Sequence, residues 1–382
     1  MRKQLLENLL FFLDRPSVTG SEKRLCDDLA ARISTSQDWE IERISNNLAI
    51  RRKEPDPSLP RIVLAGHLDT VPEPEGGLEV RVEGDRVYGR GASDMKSGDA
   101  VMLALLEGVS WEESRFEPNF VFYEREEGLY AENGLEAVFA GSPWVLDAEL
   151  ALVPEPTAAA LEVGCVGTAH VEVTFSGTSA HAARPWQGEN ALTRAGEFLT
   201  ELHERPAAET VVEGLTFYEV LTPTVAQGGR ARNVVPDSFQ INVNYRFAPG
   251  KNLEDVKRLF EELLGGSATY EVADFAPSGP VNLDNPLLQE LIDTGLEVRP
   301  KQPGPTWPAS PSTASPRRTS ARACPHRHTR RTNTPSSPSS KSATRTSCHS
   351  SNEHVSTPAL QACQHGASRL VSMSARAWAP ES

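Results

Sequence analysis

The stretch AGHLDTVP, residues 65–72, leaves an apolar run, RIVL, with a histidine and an aspartate two positions apart. In an extended chain the side chains of i and i+2 share a face, so His67 and Asp69 project together while Leu68 turns back to the interior. A carboxylate beside an imidazole fixes its tautomer and improves it as a metal ligand. Three more stretches set acids at the ends of elements. Asp94 lies in GRGASDMKSGDA, a Gly-rich loop just before a helical pattern; Glu126 and Glu127 lie in FYEREEGLY, directly after an apolar strand; Glu155 ends another strand in LVPEPT. Each alone reads better as a solvated acid in a turn. Together they place one His and several carboxylates at strand ends of one sheet, where open α/β folds carry their sites. Imidazole and carboxylates without thiolates suit zinc, manganese or cobalt hydrolytic chemistry better than structural zinc. Asp94 is the candidate to bridge two ions.

Adjacent Glu126 and Glu127 suggest a division of labour. Neighbouring side chains leaving a strand diverge, so one can ligate a metal while the other takes a proton from water and delivers it to a leaving amine. Glu126 is read as that base and Glu127 as a ligand. Glu124 and the acids of EGGLEVRVEGD are read as surface charge.

The elements that must position these residues are visible in the patterning. Residues 1–166 alternate helical and strand signals, the mark of an α/β domain with a mixed, largely parallel sheet. An amphipathic opening helix is followed by SEKRLCDDLAARIS, a Ser cap before an apolar stripe. Strands are expected at NLAIRR, RIVLAGHLD, FEPNFVFYER and AELALVPEP, with helices at DAVMLALLEGV and NGLEAVFA. Near Gly167 the texture changes: AHVEVTFSG and FQINVNYRFAP alternate apolar and polar residues, as antiparallel strands with one solvated face do. With the helices ENALTRAGEFLTELHE and NLEDVKRLFEELLGG they predict a small α+β, ferredoxin-like domain inserted at 167–279. NPLLQELIDTGLEV returns the chain to the first domain over 280–304. Residues 305–382 are rich in Ser, Pro and Arg, without period, and read as disordered or out of frame.

Thirty-eight basic against 52 acidic residues give a formal charge of −14, which argues against a nucleic-acid partner. Five scattered cysteines form no CxxC pair and suggest no disulfide scaffold. No apolar run has transmembrane length and no signal-peptide pattern opens the chain, so a cytoplasmic protein without membrane contact is expected.

In order and spacing, GHLDTVP, GRGASDMKSG, the Glu-Glu-Gly at 126–128 and PEPT resemble the motifs of the dinuclear zinc amidohydrolases and metallopeptidases. That family includes succinyl-diaminopimelate desuccinylases, acetylornithine deacetylases, aminoacylases and glutamate carboxypeptidases. The resemblance covers roughly residues 1–300. It implies two zinc ions (cobalt or manganese as substitutes), with His67 and Glu155 on one, Glu127 on the other, Asp94 bridging, Asp69 orienting His67 and Glu126 as base. GTSAHAARPWQGENA resembles the stretch whose histidine, here His181, crosses a homodimer to hold the oxyanion in the partner's site. ARNVVPDSFQINVNYRF resembles the substrate-carboxylate segment, for which Arg246 offers a forked donor; Asn233 is a weaker candidate for the oxyanion or carboxylate. The implied substrate is a small N-acyl amino acid, with N-succinyl-diaminopimelate leading and acetylornithine, another N-acyl amino acid or a carboxypeptidase substrate of the same family as alternatives.

One departure stands out. The family's fifth ligand, a histidine in an AHxxDE-like stretch, has no counterpart in context after Lys301, although His328 falls near its place. With GC-rich codons, one offset reading turns TWPAS into Asp-Val-Ala-Arg-Phe and RHTRRTNT into Ala-His-Ala-Ala-Asp-Glu-His. One shift restoring sense twice points to a one-base error near codons 303–305, and to an inactive product as a further alternative.

Overall fold

The structure, a computed structural model, describes residues 2–74 and 78–302 together with the backbone of 354–356. Helix α1 (Arg2–Leu13) buries Leu5, Leu9, Phe12 and Leu13, and α2 (Lys23–Ile33) buries Leu25, Cys26, Leu29 and Ile33. The i, i+3, i+4 spacing of these residues is what lets one face of each helix meet the core. The Ser cap expected for α2 does not form. Glu22 is the N-cap and makes no capping bond; its Oε1 accepts from the Gly20 N–H at 2.8 Å.

The first sheet contains β1 (Trp39–Ile44), β2 (Asn47–Arg52), β3 (Arg61–His67), β4 (Glu117–Tyr123) and β5 (Leu150–Leu152), in the spatial order β1-β2-β4-β3-β5. It is mixed: β3 runs parallel to β4 and β5, and the β1–β2 hairpin joins β4 antiparallel. β4 is buried along its whole length and β3 along nearly all of it, which fits apolar runs covered on both faces. Helix α3 (Lys96–Gly108) and α1 pack on one side, with Phe12 against Phe122 at 6.3 Å between ring centroids. Helix α4 (Gly134–Gly141) covers the other with Val138.

The second sheet is antiparallel throughout. It holds β6 (Gly167–Ser176), β7 (Ala208–Val212), β8 (Leu215–Gly228), β9 (Ser238–Phe247) and β10 (Thr269–Ala276), in the order β7-β8-β9-β6-β10. Strict alternation along β6 and β9 sends Val171, Val173, Phe175, Ile241, Val243 and Tyr245 to a core covered by α5 (Gly196–Glu204) and α6 (Leu253–Leu264). The helix expected as one piece over 189–204 is two, Ala191–Arg194 and α5. It breaks before Gly196, the residue with least helix propensity in the run. The β7–β8 hairpin was not foreseen, yet Glu213 and Gly214 both take positive φ, as a two-residue hairpin turn requires.

After α7 (Pro286–Asp293), Val298–Pro300 pairs in parallel with Leu161–Val163. Gln302 then pairs with the backbone of Tyr218 on β8, accepting its N–H at 2.9 Å and donating to its carbonyl at 2.6 Å. Of the tail expected to be irregular, His354–Ser356 forms a strand antiparallel to Arg86–Tyr88. The rest, with His328 and the 303–305 region, lies outside the described residues.

Candidate active site

Strand register explains why distant acids meet. His67 ends β3 directly beside Tyr123, the end of β4, and Leu64 of β3 aligns with Leu152 of β5. Glu126, Glu127 and Glu155 therefore leave at the same carboxyl edge as His67. Asp94 arrives from the loop before α3, joined to Met95 by a cis peptide bond. Two glycines let α3 approach. A Cβ on Gly98 would lie 2.2 Å from the Pro154 carbonyl, and one on Gly66 would lie 2.2 Å from Asp99 Oδ1. The first turn of α3 thus rests against the backbone next to Glu155.

His67 is buried. Its Nε2 lies 3.2 Å from Asp94 Oδ1 and 3.9 Å from Glu155 Oε1. One ligand atom each from His67, Asp94 and Glu155 can lie within 4.8 Å of one another, and the same holds for His67, Glu126 and Glu127. The structure therefore brings all five proposed metal-site and base residues together, in two overlapping groups.

Asp69 is wholly buried and does more than orient an imidazole. Oδ1 accepts the Glu126 N–H at 2.9 Å; Oδ2 accepts the Glu127 N–H at 3.1 Å and the Thr19 hydroxyl at 2.8 Å. Its carboxylate stands 3.5 Å from His67 Nδ1, which meets the Asp69 carbonyl more closely, at 3.0 Å. One carboxylate therefore fixes the main chain of the Glu pair, a role that residue types alone did not reveal.

The charges in this pocket are unbalanced. Burial pushes the Glu127 and Glu155 carboxyls up to about 7, with Asp94 adding repulsion in both cases. Burial, with Asp94 and Asp69, also raises Glu126. Burial disfavours the His67 cation, but Asp69, Asp94, Glu155 and Glu126 more than offset it and raise its pKa well above the ordinary value. The His67 ring holds Asp94 low. Asp69 is held low against its burial by His67, the Glu126 N–H and Thr19. Five carboxylates around one imidazole form a site short of positive charge, and the donor types are those that hard or borderline divalent ions take.

Two cations missed or only partly weighed in the sequence complete the surroundings. Lys301, 3.3 Å from Glu162, favours the ionised forms of Asp94, Glu126 and Glu155. Its only signal was a lone lysine in KQPG. Lys96, buried two residues past Asp94, donates to the Phe12 and Arg15 carbonyls at 3.1 Å each, and burial lowers it to about 8. Glu124, expected on the surface, is buried instead. It accepts from the Asn46 N–H at 3.2 Å and the Asn46 side chain at 2.8 Å, bracing the β1–β2 turn.

The remaining candidates lie on the inserted sheet. Arg246, on β9, donates Nε to Asn244 Oδ1 at 3.0 Å and Nη1 to the Thr168 hydroxyl. Burial lowers the pKa of its guanidinium, while the Glu126 charge works the other way. His181 and Asn233 sit on adjacent loops: the Ala182 N–H donates to the Asn233 carbonyl at 2.9 Å, and His181 Nδ1 accepts the Ala183 N–H at 3.1 Å. Both are exposed, and among the described residues no hydrogen bond or ion pair links either to the acid cluster. No helix among the described residues is long and apolar enough to cross a membrane.

Comparison with known proteins agrees with this geometry. The M20 peptidase dimerisation domain matches residues 163–268. A Mycobacterium tuberculosis protein named as a candidate succinyl-diaminopimelate desuccinylase is 36% identical over 304 residues, covering 79% of this chain and 84% of the relative. The succinyl-diaminopimelate desuccinylase of Corynebacterium glutamicum is 36% identical over 288 residues, 74% of this chain and 77% of that protein. The fold is similar to that of the Bacillus cereus aminopeptidase PepT, with a TM-score of 0.63 at 18% identity, covering 80% of this chain and 86% of the other. Relatives this similar over most of their length, joined to a pocket of one buried imidazole and five acids, place the chain in the desuccinylase-like M20 family of metal-dependent hydrolases that act on amide bonds.

Proposed function

We propose that the chain hydrolyses the succinyl amide of N-succinyl-LL-2,6-diaminopimelate with two zinc ions, as a homodimer in the cytoplasm. The observation that carries this reading is the convergence of His67, Asp94, Glu126, Glu127 and Glu155 at one sheet edge, in a chain 36% identical to a named desuccinylase. His67 and Glu155 would hold one ion and Glu127 the other, with Asp94 shared; cobalt or manganese would serve with the same donors. When bound, the ions supply Lewis acidity that polarises the scissile carbonyl and acidifies water. Glu126 takes the proton of the attacking water and later gives it to the departing amine. A C–O bond forms, the C–N bond breaks, and succinate and diaminopimelate leave. Its raised pKa suits a group that must both accept and return a proton.

Arg246 would receive a substrate carboxylate, with Asn233 as an auxiliary donor. His181 from a second copy would donate to the oxyanion, which accounts for its distance from the acids in its own chain. In this reading residues 1–166 and 280–304 form the catalytic domain and 167–279 the dimerisation domain. Hydrolysis of succinyl-diaminopimelate, acetylornithine and a glutamyl peptide by the zinc- or cobalt-loaded protein, assayed side by side, tests the substrate. Preference for either of the latter two replaces it. A second reading, an inactive product, is favoured by the missing fifth ligand after Lys301. Metal content per chain and DNA sequence across codons 303–305 decide between them.

A further inference from the structure

The open face of the inserted sheet carries a continuous row of polar side chains, of which the reaction above uses only one end. Arg246 donates Nε to Asn244 Oδ1 at 3.0 Å. Asn244 Nδ2 lies 3.1 Å from His170 Nε2. On the other side of the ring, Asn242 Nδ2 lies 3.3 Å from His170 Nδ1 and 2.6 Å from Thr224 Oγ1. Register builds the row. His170 on β6 stands directly opposite Asn244 on β9, and Thr168 stands opposite Arg246. A register shift between Pro223 and Val225 leaves Thr224 as the extra residue of β8, within reach of Asn242.

Only one placement of protons satisfies all of these contacts. A guanidinium Nε can only donate, so Asn244 must turn its oxygen to Arg246 and its NH2 to His170. His170 Nε2 must then accept, and the neutral ring carries its proton on Nδ1. Asn242 meets that proton by a half-turn of its amide, after which the same oxygen also accepts from the Thr224 hydroxyl. An imidazolium breaks the row. Its Nε2–H would face the Asn244 NH2, and turning Asn244 to accept it would set an NH2 against Arg246 Nε–H.

We propose that His170 is a positioning residue for Arg246. With its proton on Nδ1, it keeps the Asn244 oxygen on the guanidinium, and so keeps the fork aimed at a substrate carboxylate. The second half rests on Arg246 as the carboxylate ligand. With Nε and Nη1 held by the sheet, and Nη2 without a partner among the described residues, the guanidinium is oriented with donors to spare. The charged groups around the ring come from every side. Asp274 on β10 stands opposite it, Glu172 on β6 accepts from Gln240 at 2.7 Å, and Arg246 lies along β9. The turn Tyr130–Glu132 packs on β10 and brings Glu132, itself 2.8 Å from Arg125. β8 contributes the uncharged Thr224.

Ring-nitrogen NMR on the full chain at about pH 8 should show the Nδ1–H tautomer of His170; the Nε2–H tautomer overturns the proposal. Arg246 Nε–H should be protected from exchange in the unaltered protein, lose that protection in His170→Phe, and keep it in His170→Gln, whose amide oxygen can still accept from Asn244. Protection that persists in His170→Phe also overturns it. For the metal-loaded protein, the KM for N-succinyl-diaminopimelate should rise roughly tenfold in His170→Phe and stay near the original in His170→Gln, the value of one charged hydrogen bond. An unchanged KM in His170→Phe removes the link to binding. Arg246→Met separates the two layers. If it binds as tightly as the unaltered protein, the carboxylate reading of Arg246 fails, while the NMR results still judge the hold of His170 upon it.

Discussion

Replacing Asp69 with asparagine keeps shape and volume but converts one carboxylate oxygen into an NH2 group. Oδ1 holds the Glu126 N–H, and Oδ2 holds the Glu127 N–H and the Thr19 hydroxyl. The Thr19 hydroxyl can rotate to accept instead; the two backbone N–H groups cannot. Either orientation of the new amide therefore sets a donor against a donor at a site with no solvent exposure. Leaving one buried N–H unpaired costs about 1–3 kcal/mol, and the surviving bond loses its charged acceptor, so about 2–4 kcal/mol in all is expected. Urea unfolding of the metal-free protein at neutral pH measures this directly, independent of any catalytic assignment. At a slope of about 3 kcal/mol/M the midpoint should fall by about 1 M. A shift below roughly 0.2 M would show that the Glu pair is held by something other than Asp69.

Further outcomes follow from the same geometry. Glu126→Gln should lower kcat by about a hundredfold or more while metal content measured by atomic emission stays the same; parallel loss of metal would make Glu126 a ligand instead of the base. Glu127 and Glu155, raised to about 7, and His67, raised well above its ordinary value, all bind protons more tightly folded than unfolded. Their contribution is therefore present in acid and lost as pH rises through the folded values. Chelated protein should then melt higher at about pH 5.5 than at about pH 8, and loading with zinc should reverse the order because ligands must be deprotonated. An identical trend with and without metal would refute this. Gly98→Ala puts a methyl 2.2 Å from a carbonyl that cannot yield, and should cost about 1–3 kcal/mol despite the better helix propensity of alanine. A neutral result by calorimetry would mean that α3 can slide off Pro154.

The parts of the site written in short contiguous segments were legible before any fold was known. His67, Glu126–Glu127 and Glu155 end or follow strands, and Asp94 precedes a helix, whose apolar runs are plain in the sequence, so placing those elements places the acids. What joins elements was not legible. Asp69 reaches the Glu126 N–H across 57 residues, a side-chain bond to main chain that leaves no pattern in residue types. Glu124 reads as one acid among several in YEREE, and only the Asn46–Asn47 turn of another strand pair makes it interior. The β7–β8 hairpin hid behind Pro223 and a turn of Glu-Gly instead of Asn-Gly, with the last residues of β8 all exposed and so lacking alternation.

The ammonium of Lys96 ends on the carbonyls of Phe12 and Arg15, at the close of the first helix. That helix, which an engineer trimming the chain would take for expendable, is thus the receptor for a charge at the head of α3, two residues past Asp94. Shortening the amino terminus would strand a cation beneath the catalytic floor, and the damage would surface as lost chemistry some eighty positions downstream.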